Sequence, residues 1–233
     1  MGLLNNAVPF TLIAWGQQFI ETGLTSIFNA ATAVFGVLVA AMVFADERLT
    51  RRRMAGITIA FAGVVVAIGL DALGGFDLRS LAQIATLGGA LSYACAAAWA
   101  RARLSHLAPE VSALGMLTTS AVMLVPVARV IDGPPSVPQD PVTLAAIAAI
   151  AIPGTALAYL LYYRILRVAG SGNAMLVTLV IPPVAILAGA GVLGERLAPS
   201  AFLGFALIAL GLAVLDGRIL RGKKSGAPGR AGR

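Results

Sequence analysis

The sequence predicts an all-α fold, a polytopic membrane bundle of about eight transmembrane helices, and three observations carry that expectation. Hydrophobic residues make up 59% of the 233-residue chain and charged ones 12%, with a mean hydropathy of +0.91, too little polar surface for a soluble globular protein. The apolar residues fall into runs of roughly 17 to 25, the length at which a helix crosses a hydrocarbon core while satisfying its backbone groups internally. A pattern also recurs about 148 positions on: Glu47-Arg48-Leu49, Gly56, Gly63 and Val66 return as Glu195-Arg196-Leu197, Gly204, Gly211 and Val214. Repetition in so apolar a chain marks a transporter built from two equivalent helical units with a substrate pathway where they meet.

The spans are expected near 3–20, 24–45, 54–71, 80–100, 111–131, 143–163, 172–193 and 199–216. The first is broken by Asn5, Asn6, Pro9, Gln17 and Gln18. It lacks the leading basic residues and small-residue cleavage site of a signal peptide, and so reads as a span. The third follows Thr50, a good N-cap, and the eighth opens on Pro199, which suits a first helical turn. The polar, glycine-containing stretch from Asp71 to Arg79 divides the chain. Residues 1–73 form an incomplete first unit of three helices, residues 80–216 a second unit of five, and residues 217–233 a basic cytoplasmic tail. The Pro-rich stretch from Asp132 to Pro141 reads as an external loop within the second unit. Pro182 and Pro183 remove backbone donors in mid-span, which bends a helix and frees carbonyls. The glycines at spacing seven, Gly56 with Gly63 and Gly204 with Gly211, fall on one helix face and read as packing positions.

Charge supplies the orientation. With the amino terminus in the cytoplasm, 14 of the 17 basic residues fall inside and only Arg79, Arg129 and Arg196 fall outside, the positive-inside pattern. Both termini are then cytoplasmic, and the net charge of +7 is a topology signal. No basic stretch is interleaved with stacking aromatics, so nucleic acid is not an expected partner. Five spans per unit, an odd number, turn the second unit upside down relative to the first, giving two inverted five-helix units with the first incomplete. Glu47 would face inside, followed by Arg51 to Arg53; Glu195 would face outside, followed by Ala198, Pro199 and Ser200. Fifteen arginines against two lysines, with abundant Ala and Gly, suggest a GC-rich bacterial genome and hence a bacterial inner membrane.

The chain resembles the EamA family of the drug/metabolite transporter superfamily. The resemblance is carried by Leu4-Asn5-Asn6-Ala7-Val8-Pro9-Phe10, Asn29-Ala30-Ala31-Thr32, Ala45-Asp46-Glu47-Arg48-Leu49 and Gly194-Glu195-Arg196-Leu197, in order, over about residues 3–216. Two departures stand out. Family members usually have ten helices, whereas the first unit here is short by about 68 residues, room for two helices; the expectation is that these precede Met1. Ala33 stands where a Pro often follows the Asn-x-x-Thr stretch. The resemblance implies that spans one, two, six and seven, the third, fourth, eighth and ninth of a full member, surround a central cavity.

Polar side chains within a membrane are costly and face protein or water. Thr11, Trp15 and Gln18 share one helix face; so do Thr25, Asn29 and Thr32, and again Thr155, Tyr159 and Tyr162. Asn173 and Thr178 precede the paired prolines. The candidate substrate-binding residues are therefore Trp15, Gln18, Asn29, Thr32, Tyr159, Tyr162, Asn173 and Thr178. The competing reading is interhelical hydrogen bonding, with Tyr162 and Tyr163 as part of an interfacial aromatic belt.

Catalytic chemistry finds no foothold. Glu47 and Glu195 each end one helix before the next begins, where an ion pair or hydrogen bond stabilising the turn is expected. No Asp, Glu, Lys or His lies near mid-span, so the visible helices hold no obvious proton relay. His106 lacks a second ligand, and Cys95 reads as a small packed residue. The stretch Gly217 to Lys224 misses a P-loop because Lys224 occupies its Ser/Thr position. The expected function is a secondary transporter or exporter of a small organic metabolite or drug, working by alternating access without ATP hydrolysis. It is not an enzyme and uses no cofactor or metal. Its partners are a small-molecule substrate and the lipid bilayer, with a homodimer left open. The alternative is a non-transporting membrane structural protein or an inactive transporter fragment.

Overall fold

The computed structural model describes residues 1–77, 79–134, 140–193 and 198–216. The second copy of the repeated turn, Glu195-Arg196-Leu197, and the tail 217–233 lie outside the described residues. Every regular element among the described residues is helical. A π-helical turn, Gly2–Ala7, leads into α1 (Val8–Gly16), followed by α2 (Thr22–Val43) and α3 (Arg51–Ile68). After a 3-10 turn, Leu70–Gly75, come α4 (Leu81–Leu104) and α5 (Pro109–Asp132). Then α6 (Pro141–Ala151) and α7 (Ala158–Ala169) join through a π-helical turn, Ile152–Leu157, and α8 (Ser171–Met175), α9 (Val177–Leu193) and α10 (Pro199–Asp216) close the bundle.

Each predicted span holds helix, and 6 of them are long and apolar enough to cross a membrane: Thr22–Val43, Leu81–Leu104, Pro109–Ile131, Pro141–Ala169, Ser171–Ala188 and Pro199–Asp216. The other two fall short for visible reasons. The first is a π turn of 6 residues and a helix of 9. The third, α3, opens on Arg51, Arg52 and Arg53. Local signals account for the ends. Thr50 Oγ1 accepts the Arg53 N–H at 3.2 Å, the expected N-cap of α3. The Asp140 carboxylate accepts the Thr143 N–H at 2.9 Å ahead of Pro141 at the start of α6. In the π turn after Pro153, the Thr155 hydroxyl donates to the Ile150 carbonyl at 2.8 Å, taking up an acceptor in a stretch where proline has removed a donor.

The repeated glycines pack against each other. A Cβ on Gly56 would lie 2.8 Å from the Gly211 carbonyl, and one on Gly63 would lie 2.8 Å from that of Gly204. Each glycine of the first copy therefore faces the non-equivalent glycine of the second. This antiparallel, self-complementary contact between α3 and α10 is the pattern a two-fold axis produces. Only hydrogen at these positions lets the backbones approach so closely. Beside this seam, Ala30, Ala33, Val37, Ile57, Ala60, Val64, Leu179 and Ile208 join α2, α3, α9 and α10 in one buried cluster. A second cluster, including Ala97, Ala100, Ala113, Met116, Tyr163 and Met175, joins α4, α5, α7 and α8. In contrast, every residue of α6 is exposed, as an apolar helix facing lipid should be.

Candidate functional site

Between α2, α4, α7, α8, α9 and the first π turn lies a cavity of about 510 Å³. Its polar lining is Asn5, Asn29, Thr32, Tyr93, Tyr159, Tyr162 and Thr178; Leu161, Ile165, Met175, Val177 and Ile181 supply much of the apolar wall. A second cavity of about 410 Å³ shares Asn29, Tyr93 and Ile181 with the first. It runs past Phe10 and Pro182 to Gln17 and Ser26, near the connection of α1 to α2. No Asp, Glu, Lys or Arg lines either cavity among the described residues.

One wall is held by a buried amide network. Tyr159 donates its hydroxyl to Asn6 Oδ1 at 2.8 Å, and Asn5 Nδ2 donates to the Tyr159 oxygen at 3.3 Å. Asn6 Nδ2 donates to Ser120 Oγ at 2.8 Å, and Ser120 Oγ donates in turn to the Met116 carbonyl at 2.7 Å. On the other side, Ser92 Oγ donates to the Leu4 carbonyl at 2.7 Å. These bonds fix the first turn against α4, α5 and α7. Two hydroxyls of the same cavity behave differently: Thr32 Oγ1 and the Tyr162 hydroxyl are sealed from solvent with no hydrogen-bond partner among the described residues. A buried, unpaired hydroxyl costs about 1–3 kcal/mol.

Five of the eight candidate residues, Asn29, Thr32, Tyr159, Tyr162 and Thr178, line the larger cavity. Tyr162 and Tyr163 both turn into the bundle and not to a membrane surface: Tyr163 is 4% exposed and its hydroxyl donates to Met116 Sδ at 3.4 Å. Trp15 and Gln18 are exposed and line neither cavity; Trp15 packs on Phe19, ring centroids 5.1 Å apart. The cause is which face of α1 turns inward: the cavity-lining Phe10, Ile13, Ala14 and Gln17 follow the i, i+3, i+4, i+7 spacing of one face, and Thr11, Trp15 and Gln18 lie on another, exposed face. Contact with α4 sets that rotation, Gly16 resting on it so closely that a Cβ would sit 2.3 Å from Thr86 Oγ1. Asn173 goes elsewhere, accepting a hydrogen bond from Arg53 at 3.1 Å and donating to the Ala169 carbonyl at 2.9 Å. Sequence reasoning missed Asn5, Tyr93 and Gln17. Asn5 and Asn6 carry a signal, two adjacent amides in an apolar run, which breaks the span and belongs to a family-like motif but does not by itself name their partners.

Asn173 belongs to a charged cluster at the arginine-rich end, around a pocket of about 540 Å³ that also touches Asp46, Glu47, Arg53, Arg101 and Arg167. Glu47 is 5% exposed and saturated with partners. Its carboxylate accepts the Ser171 N–H at 2.8 Å, the Ser171 hydroxyl at 3.0 Å and the Gly172 N–H at 2.9 Å. It also pairs with Arg101, and with Arg53 at 3.6 Å. Arg101 reaches Asp46 as well and lies over the Phe44 ring, 4.2 Å from its centroid. The hydrogen bond from Arg101 holds the Asp46 carboxyl below the ordinary carboxylate range. The glycines beside Ser171 make the approach feasible: Gly170 has φ +84°, and a Cβ on Gly172 would sit 2.6 Å from Glu47 Oε2. The expected turn contact of Glu47 thus reaches α4 and α8 as well. No group of three or more His, Cys, Asp or Glu among the described residues is placed to hold a metal ion.

Known proteins agree with this architecture. The model of the EamA-like transporter family matches residues 1–69 and 80–215. A probable amino-acid metabolite efflux pump of Escherichia coli (strain K12) is 29% identical over 221 residues, covering 91% of this chain and 73% of that protein. A probable terminal-alkyne amino-acid exporter of Streptantibioticus cattleyicolor is 28% identical over 224 residues, covering 94% and 72%. A solved crystal structure superposes with a TM-score of 0.72 at 19% identity, covering 89% of this chain and 73% of its own, a likeness of fold. With most of its length matched by the family model and apolar helices around a central cavity, the chain is a multi-pass membrane protein that belongs to the EamA-like transporter family, whose members move small metabolites.

Proposed function

We propose that this protein is a secondary exporter of amino-acid-class metabolites in a bacterial inner membrane, working by alternating access without ATP hydrolysis. The observation that carries this reading is the pair of contiguous, uncharged cavities joined at Asn29, Tyr93 and Ile181. Together they lead from the middle of the bundle toward the α1–α2 connection, while the Glu47 cluster closes the arginine-rich end. The names of the Escherichia coli and Streptantibioticus relatives support the substrate class. The positive-inside rule supports a cytoplasmic placement of the arginine-rich end and of both termini, so the cavities open outward in this conformation. Residues 1–73 and 80–216 act as the two units, related by the axis through the glycine seam of α3 and α10. Asn29, Tyr159, Tyr162 and Thr178 contact the substrate directly, with Thr32 fully buried behind them.

Proteoliposomes loaded with radiolabelled L-leucine and free of nucleotide test this. The expected result is efflux above protein-free vesicles that responds to an imposed ion gradient. Efflux that appears only with ATP, or none with any amino acid or derivative tried, overturns the reading.

A further inference from the structure

Two polar side chains stand where the two cavities meet, Asn29 on α2 and Tyr93 on α4, and each lines both cavities. Both are half-buried, and neither the Asn29 amide nor the Tyr93 hydroxyl has a hydrogen-bond partner among the described residues. Their polar atoms stay accessible, unlike the sealed hydroxyls of Thr32 and Tyr162. The other polar groups of the lining are committed to protein. Asn5 and Tyr159 belong to the amide network, Thr25 donates to the Glu21 carbonyl at 3.1 Å, Ser26 to that of Thr22 at 2.9 Å and Thr178 to that of Met175 at 2.9 Å. Gln17 is exposed at the far end of the second cavity, near the α1–α2 connection. An accessible amide or hydroxyl inside a membrane bundle, unbonded by protein, is satisfied by what fills the cavity, water or a ligand. Asn29 and Tyr93 each donate and accept, so together they offer donors to a carboxylate and acceptors to an ammonium. With no ionised side chain lining either cavity among the described residues, they suit a group in which the two charges are both present and cancel.

Resting on the export reading above, we propose that Asn29 and Tyr93 are the specificity-determining pair of this pathway. At the neck between the cavities they hold the ammonium and carboxylate of an amino acid, whose side chain lies in the larger cavity against Leu161, Ile165, Val177 and Ile181. Recognition therefore reads the main-chain end of the substrate, and a molecule lacking either of its charged groups is held weakly.

Equilibrium binding of radiolabelled L-leucine to the detergent-solubilised protein tests the assignment, with efflux from proteoliposomes measured beside it. Unlabelled 3-methylbutylamine and 4-methylpentanoate are leucine without its carboxylate and without its ammonium. Each should compete at least about ten-fold more weakly than unlabelled L-leucine, the loss expected for a hydrogen bond to a charged group. Tyr93→Phe and Asn29→Leu, which delete the hydroxyl and the amide, should each raise the Kd for L-leucine about five-fold or more. Both variants should unfold at the wild-type temperature or above it, because no protein partner is lost. Tyr163→Phe, whose hydroxyl is bonded to Met116, should leave the Kd unchanged and lower the unfolding temperature. Competition by either analogue equal to that of leucine overturns recognition of the main-chain end. An unchanged Kd in either variant, or an unfolding temperature lowered in both, overturns the pair. Binding weakened by both variants with no transport by the wild type refutes export and sustains the pair. Transport by the wild type with both variants binding normally sustains export and refutes the pair, and absence of both binding and transport in the wild type refutes the two together.

Discussion

The Glu47 carboxylate accepts the backbone N–H of Ser171 at 2.8 Å, tying the end of α2 to the start of α8 across 124 positions of chain. With the Ser171 hydroxyl, the Gly172 N–H and two arginines added, one nearly buried side chain binds three helices at the arginine-rich end. A buried ion pair is weak evidence of net stabilisation, but breaking one is costly because the remaining charge is left uncompensated. Arg101→Met should therefore destabilise by about 3 kcal/mol, the low end of the usual range, since Arg53 remains 3.6 Å from Glu47. Unfolding in mixed detergent micelles measures it. A loss under about 0.5 kcal/mol, the scale of exposed pairs, would mean that the pair is solvated.

Gly172→Ala probes the same contact from the other side. The added methyl would meet Glu47 Oε2 at 2.6 Å and the Ala40 side chain at 3.2 Å. The carboxylate must retreat and give up its bonds to α8, at a cost of about 1–3 kcal/mol. Because the damage passes through Glu47, it should not add to that of Glu47→Ala, and a double-mutant cycle should show coupling above about 1 kcal/mol. Strict additivity would place the strain at Ala40 instead.

Glycines provide a contrast between close approach and open space. A Cβ on Gly211 would lie 2.4 Å from the Ala60 nitrogen and 2.6 Å from the Gly56 carbonyl, both backbone atoms that cannot swing aside. Gly211→Val should separate α3 from α10 and abolish accumulation of folded protein. At Gly115 nothing lies within 4 Å of the added carbon, and Gly115→Ala should stabilise by up to about 1 kcal/mol through helix propensity. Membrane yield and unfolding midpoints of the two variants decide the matter; a well-folded Gly211→Val would refute the close seam.

Much of this architecture could be read from composition and period. Runs of some twenty apolar residues specify helices directly, Thr50 announced the start of α3, and the seven-residue glycine spacing marked the packing faces of α3 and α10. Period 3.6 also placed Thr25, Asn29 and Thr32 on one face, and that face lines the two cavities. The same spacing put Thr11, Trp15 and Gln18 on one face of the first span, but that face is exposed, because the rotation of α1 depends on how Gly16 rests against Thr86 of another helix. The partners of Glu47, Asn5 and Asn6 were hidden for a related reason. Spacing along one helix says which residues share a face, but nothing about which other helix that face meets. Only the fold brings Arg101 and Ser171 to Glu47, or Ser120 and Tyr159 to Asn6.

The amide network permits a graded forecast. Tyr159→Phe removes the 2.8 Å bond to Asn6 Oδ1 and the 3.3 Å bond from Asn5, yet Asn6 Oδ1 keeps the Asn5 amide as a donor at 3.2 Å. The loss should thus resemble the membrane average for an interhelical hydrogen bond, about 0.6 kcal/mol. Asn6→Leu is a different matter. It takes the acceptor of the Tyr159 hydroxyl and one acceptor of the Asn5 amide, which keep only the 3.3 Å bond to each other, and it deprives Ser120 of its donor, although Ser120 still bonds the Met116 carbonyl at 2.7 Å. With a buried donor left without an acceptor, a cost of about 1–3 kcal/mol is expected. Adding Tyr159→Phe to Asn6→Leu should then recover little, since deleting the hydroxyl also removes the remaining acceptor of the Asn5 amide. Micelle unfolding of the two single variants and the double variant gives all three numbers. A double variant that regains most of the loss would show that the bond from Asn5 to Tyr159 contributes little to the network.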